Sequence, residues 1–135
     1  MIEGDEWLSP GLGRVLSDAG WTVEICAEAR AGFQKALQML PDCIVCAIDL
    51  PDIDGFWVAR RIRTEAGIVA KTPLLFVGDL TDRTTRIQGL HVGADVVLGR
   101  PITDDDIAAQ VEALVGLARR FRGDFPTAEP SSISR

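Results

Sequence analysis

Lysine is almost missing from this 135-residue chain, with Lys35 and Lys71 the only two, and histidine occurs once, at His91. No window approaches the ~18 consecutive apolar residues that a membrane-spanning helix needs. The N-terminus carries no basic segment followed by an apolar one, so a secretory signal is not expected and the cytoplasm is. A basic footprint is absent too. The net charge is -6, and the arginines from Arg119 onward outweigh Asp124 and Glu129, which leaves the preceding body still more acidic. That balance excludes direct nucleic-acid binding by the body, which would need clustered positive charge to neutralise phosphates.

Three further absences narrow the class. Cys26, Cys43 and Cys46 form no disulfide framework. Cys43 and Cys46 have C-x-x-C spacing, but they lie inside an apolar run, where residues three apart on a strand point to opposite faces. They are therefore expected to be reduced and buried, acting as small hydrophobes. No G-x-G-x-x-G follows a first strand and no P-loop is present; Gly11 and Gly13 are too close together and lie within a helical pattern. This leaves a small nucleotide-binding enzyme without its phosphate cradle. No internal repeat appears before the tail.

What is present is an alternation of helical and strand-like segments in a chain of one-domain size. Leu12, Val15, Leu16 and Ala19 recur at helical spacing after Ser9 and Pro10 and stop at Gly20. Thr22 to Cys26 reads as a short strand. Phe33, Ala36, Leu37 and Leu40 mark a second helix, closed by Pro41. Cys43 to Ile48 is apolar throughout, as expected of a parallel strand covered on both faces.

Phe56, Ala59 and Ile62 mark a short third helix crowded by Arg60, Arg61 and Arg63. Pro73 to Val77 is a strand, Thr81 to Val92 a helix and Asp95 to Leu98 another strand. Thr103 with Asp106 three residues on forms a capping box for a long last helix that buries Ile107, Val111, Leu114, Val115 and Ala118. The stretch 121–135, with Pro126, Pro130, Ser131 and Ser132, reads as a flexible tail. Strands alternating with helices predict an α/β domain with right-handed crossovers and a parallel sheet between two helical layers.

The stretch from Cys43 to Gly55 breaks from an apolar strand into acids, Pro51 and a glycine, and a later strand-like run ends at Arg100, Pro101 and Ile102. These two segments resemble the receiver domain of bacterial response regulators, across about residues 1–120. The resemblance implies a doubly wound, five-stranded, flavodoxin-like sheet of order 2-1-3-4-5. Only Met1 and Ile2 precede Glu3, where the family's first strand already ends. Either that strand is a truncated stub or the start of the protein lies upstream.

The resemblance also implies a phosphorylation pocket: two acids after the first strand, a phosphoacceptor aspartate closing the third, a hydroxyl after the fourth and a lysine after the fifth, with Mg²⁺ held by the acids. Matched to this chain, the acid pair becomes Glu3 and Gly4, with Asp5 beside them. The phosphoacceptor, four residues before Pro51, becomes Ala47. The hydroxyl becomes Gly78, and the lysine becomes Arg100, whose peptide bond to Pro101 the family commonly holds cis. Ala47 and Gly78 carry no reactive side chain, and the planar fork of arginine does not reproduce a compact ammonium.

Asp49 lies two residues beyond Ala47, about 6.6 Å further along a strand. Two readings of Asp49 stay open: a turn acid, in company with Asp54 and Asp79, or a charge partner of Arg100. No cofactor is expected beyond weak Mg²⁺ binding. The family's coupling of the hydroxyl to an aromatic in the fifth strand is also lost, since Gly78 and Val97 occupy those positions.

The expected function is therefore that of a pseudo-receiver, a non-enzymatic, phosphorylation-independent interaction module of two-component signalling. The alternative is a working receiver phosphorylated at Asp49 through a shifted loop. The resemblance places the partner surface on the fourth helix, fifth strand and last helix, with Arg83, Arg86, Gln88, His91, Val96 and Val97 as candidates. That surface would contact a histidine kinase or an output protein, or form a homodimer; neither nucleic acid nor membrane is an expected partner of the body.

Overall fold

The computed structural model of the chain describes residues 11–79 and 83–121. In chain order the elements are α1 (Leu12–Asp18), α2 (Ala29–Met39), β1 (Ile44–Ala47), α3 (Gly55–Thr64), a 3-10 turn (Ile68–Lys71), β2 (Leu74–Gly78), α4 (Arg83–His91), β3 (Val96–Gly99) and α5 (Asp104–Phe121). The strands are parallel in the order β1-β2-β3, with Ile44 opposite Leu74 and Leu75 opposite Val96.

Each strand is too apolar to face water, and its alternating side chains feed two separate cores. Cys46, Leu74 and Phe76 point to one side and pack with Phe33 and Ala36 of α2 and with Phe56 and Ile62 of α3. Val45, Leu75 and Val77 point to the other and pack with Leu12 and Leu16 of α1 and with Ile107, Val111 and Leu114 of α5. This is the expected doubly wound α/β architecture, with helices on both faces of a parallel sheet.

Local chemistry sets the element ends. Gly20, at φ 98°, closes α1 while the Trp21 and Gly20 amides donate to Leu16 O and Ser17 O, the paired bonds of a Schellman turn. Asp54 caps α3 by accepting from the Trp57 amide at 3.0 Å. At α5 the capping box is present: Thr103 Oγ1 accepts from the Asp106 amide at 3.1 Å, and Asp106 Oδ2 accepts from the Thr103 amide at 3.4 Å.

The described residues carry three ladder strands, corresponding to the expected third, fourth and fifth. Thr22 to Cys26 is not a ladder strand; only Cys26 makes an isolated bridge. A strand exists through its neighbour's hydrogen bonds, and local alternation cannot supply the neighbour. The expected first strand at Met1 and Ile2, the helix start at Ser9 and Pro10, Thr81 and the tail beyond Phe121 lie outside the described residues. Helix α5 itself continues to Phe121.

Candidate functional site

The carboxyl ends of β1, β2 and β3 bring Ala47, Gly78 and Arg100 to one edge of the sheet, where ligand crevices form in open α/β folds. Glu3, Gly4 and Asp5, expected to join them, lie outside the described residues. Ala47 is buried at the end of β1. Its carbonyl faces Gly55, where a Cβ would collide with that oxygen, and the Gly55 amide donates to Ile48 O at 2.7 Å. The loop after β1 is thereby folded tightly back onto the backbone of Ala47 and Ile48.

Ile48 is buried and lies against Gly78. A Cβ at residue 78 would come within 3.1 Å of Ile48 Cδ1 and 3.4 Å of Ile48 Cβ. A side chain at residue 78 would press on this branched hydrocarbon, which would have to give by a few tenths of an ångström.

Arg100 is held by its own amide, which donates to Gly78 O at 3.0 Å, and its peptide bond to Pro101 is cis, as the resemblance implied. Of the readings left open for Asp49, pairing with Arg100 is not the one found. Its Nε lies 3.7 Å from Asp79 Oδ1, within charge attraction but beyond a hydrogen bond. Among the described residues, Nε and Nη2 are buried without a hydrogen-bond partner. Asp79 follows Gly78 directly at the end of β2, so it faces the adjacent end of β3, whereas Asp49 is exposed on the loop after Ile48.

The neighbouring acids have structural work. Asp52 accepts from the amides of Ala29 at 2.8 Å and Arg30 at 3.1 Å, fastening the loop after β1 to the start of α2. Burial acts to raise the pKa of Asp52, but the backbone N–H donors of Ala29, Arg30 and Ile53 outweigh it and hold the carboxyl below its ordinary range. Asp54 is committed to its cap. Among the described residues no three His, Cys, Asp or Glu side chains converge to hold a metal ion. The near-octahedral oxygen shell that Mg²⁺ prefers is not assembled by Asp49 and Asp79 alone.

Of the C-x-x-C pair, Cys46 is buried as expected, whereas Cys43 is half-buried. Cys46 is fully buried, and burial drives the Cys43 thiol up to about 12 and the Cys46 thiol higher still. Of the residues expected on a partner surface, Arg83, Arg86, Gln88 and His91 are exposed and Val96 is half-buried. Val97 is corrected to a core residue: at 8% exposure it packs in the α2–α3 core, against the point where a Cβ on Gly89 would stand.

Sequence reading missed one polar hub, at the opposite end of the sheet. Arg63 donates to Gly93 O at 2.9 Å, Ala70 O at 3.0 Å and Thr72 O at 2.6 Å, and pairs with Asp95 at 3.1 Å. Asp95 also accepts from the Leu74 amide at 2.9 Å, so the arginine ties the amino ends of β2 and β3 to α3. An arginine interrupting an apolar stripe was the only hint in the sequence.

Comparison with known proteins bears on this geometry. The family model of the response regulator receiver domain matches residues 1–112. The transcriptional regulatory protein CreB of Escherichia coli is 25% identical over 93% of this chain and 54% of its own length. The DNA-binding dual master transcriptional regulator RpaA of Synechocystis is 32% identical over 85% of this chain and 47% of its own. The chain thus spans about half the length of these relatives.

A CheY-like response regulator receiver domain protein from Methanospirillum hungatei superposes with a TM-score of 0.79 at 18% identity, over 89% of this chain and 94% of the other. A two-component response regulator from Clostridium difficile gives 0.75 at 23% identity, over 84% and 91%. With the matched residues taking in both ends of the crevice, the chain belongs to the response regulator receiver domain family.

Proposed function

We propose that this chain is a pseudo-receiver: a phosphorylation-independent protein-interaction module of two-component signalling, and not an enzyme. The observation that carries this reading is Ile48 seated on Gly78 beside Ala47. Phosphoryl transfer to a receiver needs a carboxylate at the end of β1, a metal beside it and a donor at the end of β2. At the matched positions Ala47 offers no carboxylate and Gly78 no donor, and Ile48 packs against Gly78.

Arg100 and Asp79 supply a charge contact within the chain where a phosphoryl group would otherwise draw the cation. The partner is a histidine kinase or an output protein, met through Arg83, Arg86, Gln88, His91 and Val96, and the same face serves for a homodimer. Residues 121–135 act as a linker, and the setting is cytoplasmic. No helix among the described residues is long and apolar enough to cross a membrane.

The competing reading is phosphorylation at Asp49, which is exposed at the crevice mouth. Incubation with Mg²⁺ and beryllofluoride, and separately with acetyl phosphate, distinguishes the two. The pseudo-receiver gives no stoichiometric beryllofluoride complex and no phosphate-sized mass adduct. An adduct abolished by Asp49→Asn establishes the competing reading instead.

A further inference from the structure

Helix α4 is seated differently from its neighbours. Helix α3 buries Phe56, Val58, Ala59 and Ile62, and α5 buries Ile107, Val111, Leu114 and Val115, whereas the buried residue of α4 is Gly89. A Cβ on Gly89 would stand 3.1 Å from Val97 Cγ2 and 3.3 Å from Phe76 Cδ2, so the helix backbone rides directly on the sheet. The larger apolar residues of α4 are exposed, Ile87 at 42% and Leu90 at 44%. Tertiary burial of an apolar face supplies most of what holds a surface helix, and α4 has little of it.

The C-terminal end of α4 is fixed by a polar contact instead. Gly93, at φ 121°, closes the helix, and the Gly93 and Ala94 amides donate to Leu90 O and Gly89 O as a Schellman pair. The carbonyl of the same glycine accepts from Arg63 Nε at 2.9 Å, and the arginine stem lies where a Cβ on Gly93 would stand. The remaining nitrogens of Arg63 donate to Ala70 O, Thr72 O and Asp95, so one fork joins the end of α4 to α3 and to the approach to β2. Water reaches this contact, since the Arg63 and Asp95 side chains are 24% and 46% exposed.

We propose that α4 is a latched helix: Arg63 holds its C-terminal end on the domain, and when that contact opens α4 leaves the sheet as a unit while the strands stay paired. Elements with few buried apolar contacts and solvent-reachable hydrogen bonds are the ones that open below the global unfolding free energy. A partner that reads Arg83, Arg86 and His91 beside Ile87 and Leu90 needs those side chains in helical register. It therefore binds the latched state, and the latch sets its affinity. This deepens the interaction-module reading and rests on it for the partner, adding a positioning residue on α3 that touches no partner itself.

The test measures amide hydrogen exchange by NMR on the full 135-residue chain and on the variants Arg63→Lys and Ile107→Val. In the parent, the Leu90 and His91 amides are expected to be about tenfold or more less protected than those of β1 and β2, with little dependence on dilute urea. Arg63→Lys speeds exchange in α4 about tenfold or more. Ile107→Val thins the core on the other face of the sheet, so it speeds exchange in the strands about threefold and leaves α4 unchanged. Equal acceleration of α4 and the strands by Ile107→Val means that α4 opens only with the whole domain, and overturns the proposal. So does α4 exchange unmoved by Arg63→Lys. Should that variant fail to fold, the urea dependence in the parent and the response to Ile107→Val decide the matter. None of these outcomes bears on phosphoryl acceptance, which beryllofluoride tests separately.

Discussion

Ile48 packs onto Gly78 so closely that a Cβ at position 78 would lie 3.1 Å from Ile48 Cδ1. Restoring a hydroxyl there as Gly78→Thr forces a branched side chain into occupied space, an overpacking that costs about 1–3 kcal/mol. The urea midpoint should fall accordingly. Combining Gly78→Thr with Ile48→Val should recover part of the loss, so the two changes are non-additive. Strict additivity would show that Ile48 does not occupy that space.

Arg100 presents the reverse case. Among the described residues two of its nitrogens are buried without hydrogen bonds, and the nearest acid is Asp79, 3.7 Å away. Removing unsatisfied donors relieves a penalty of about 1–3 kcal/mol, while an ion pair this exposed on the Asp79 side contributes about 0–1 kcal/mol. Arg100→Met is therefore expected to leave stability unchanged or to raise it, and Asp79→Asn to lower it slightly. A clear loss in Arg100→Met, measured by urea unfolding, would mean that the guanidinium has a stabilising partner.

Asp52 gives a dependence on pH. Its carboxylate accepts from the first amides of α2, and its folded pKa lies below the ordinary value of about 3.9. The stabilisation is thus fully present above the unfolded pKa and fades as pH falls through the depressed folded one. Asp52→Asn should be less stable than the parent by about 0.5–1 kcal/mol near neutrality, discounted for exposure. The difference should close as pH falls through the depressed folded pKa, where the carboxyl takes up its proton and both forms are uncharged at this position. A gap that persists unchanged into acid would rule out the carboxylate charge as its source.

Arg63 is the hub most sensitive to a conservative change. Its fork reaches three carbonyls and Asp95, and a single ammonium cannot match that geometry. Arg63→Lys should cost about 2–3 kcal/mol, because buried acceptors lose their donors. Gly93, at φ 121° with a Cβ position only 2.6 Å from Arg63 Cγ, should tolerate alanine no better. Thermal unfolding of both variants beside Arg61→Lys, whose guanidinium stacks over Phe33 and Trp57, would separate a hub from an ordinary surface arginine.

The alternation of helix and strand, the caps at Gly20 and Thr103, and the loss of side-chain chemistry at Ala47 and Gly78 were all legible from residue identity. Each depends on a chemical group being present or absent within a few positions, which local spacing reports directly. At the crevice, residue identity alone was legible, for the same reason.

What filled it was not. Ile48 on Gly78, Arg100 beside Asp79 instead of Asp49, Val97 in the core and Arg63 bridging α3 to two strands are contacts between segments far apart in the chain. Thr22 to Cys26 shows the same limit, since its alternation satisfies a strand pattern and yet no ladder forms along it. The amino-acid order determined which side chains were available, through propensity and hydrophobic period. The tertiary packing alone decided which of them meet, because that outcome is set by shape and hydrogen-bond satisfaction summed over the whole domain.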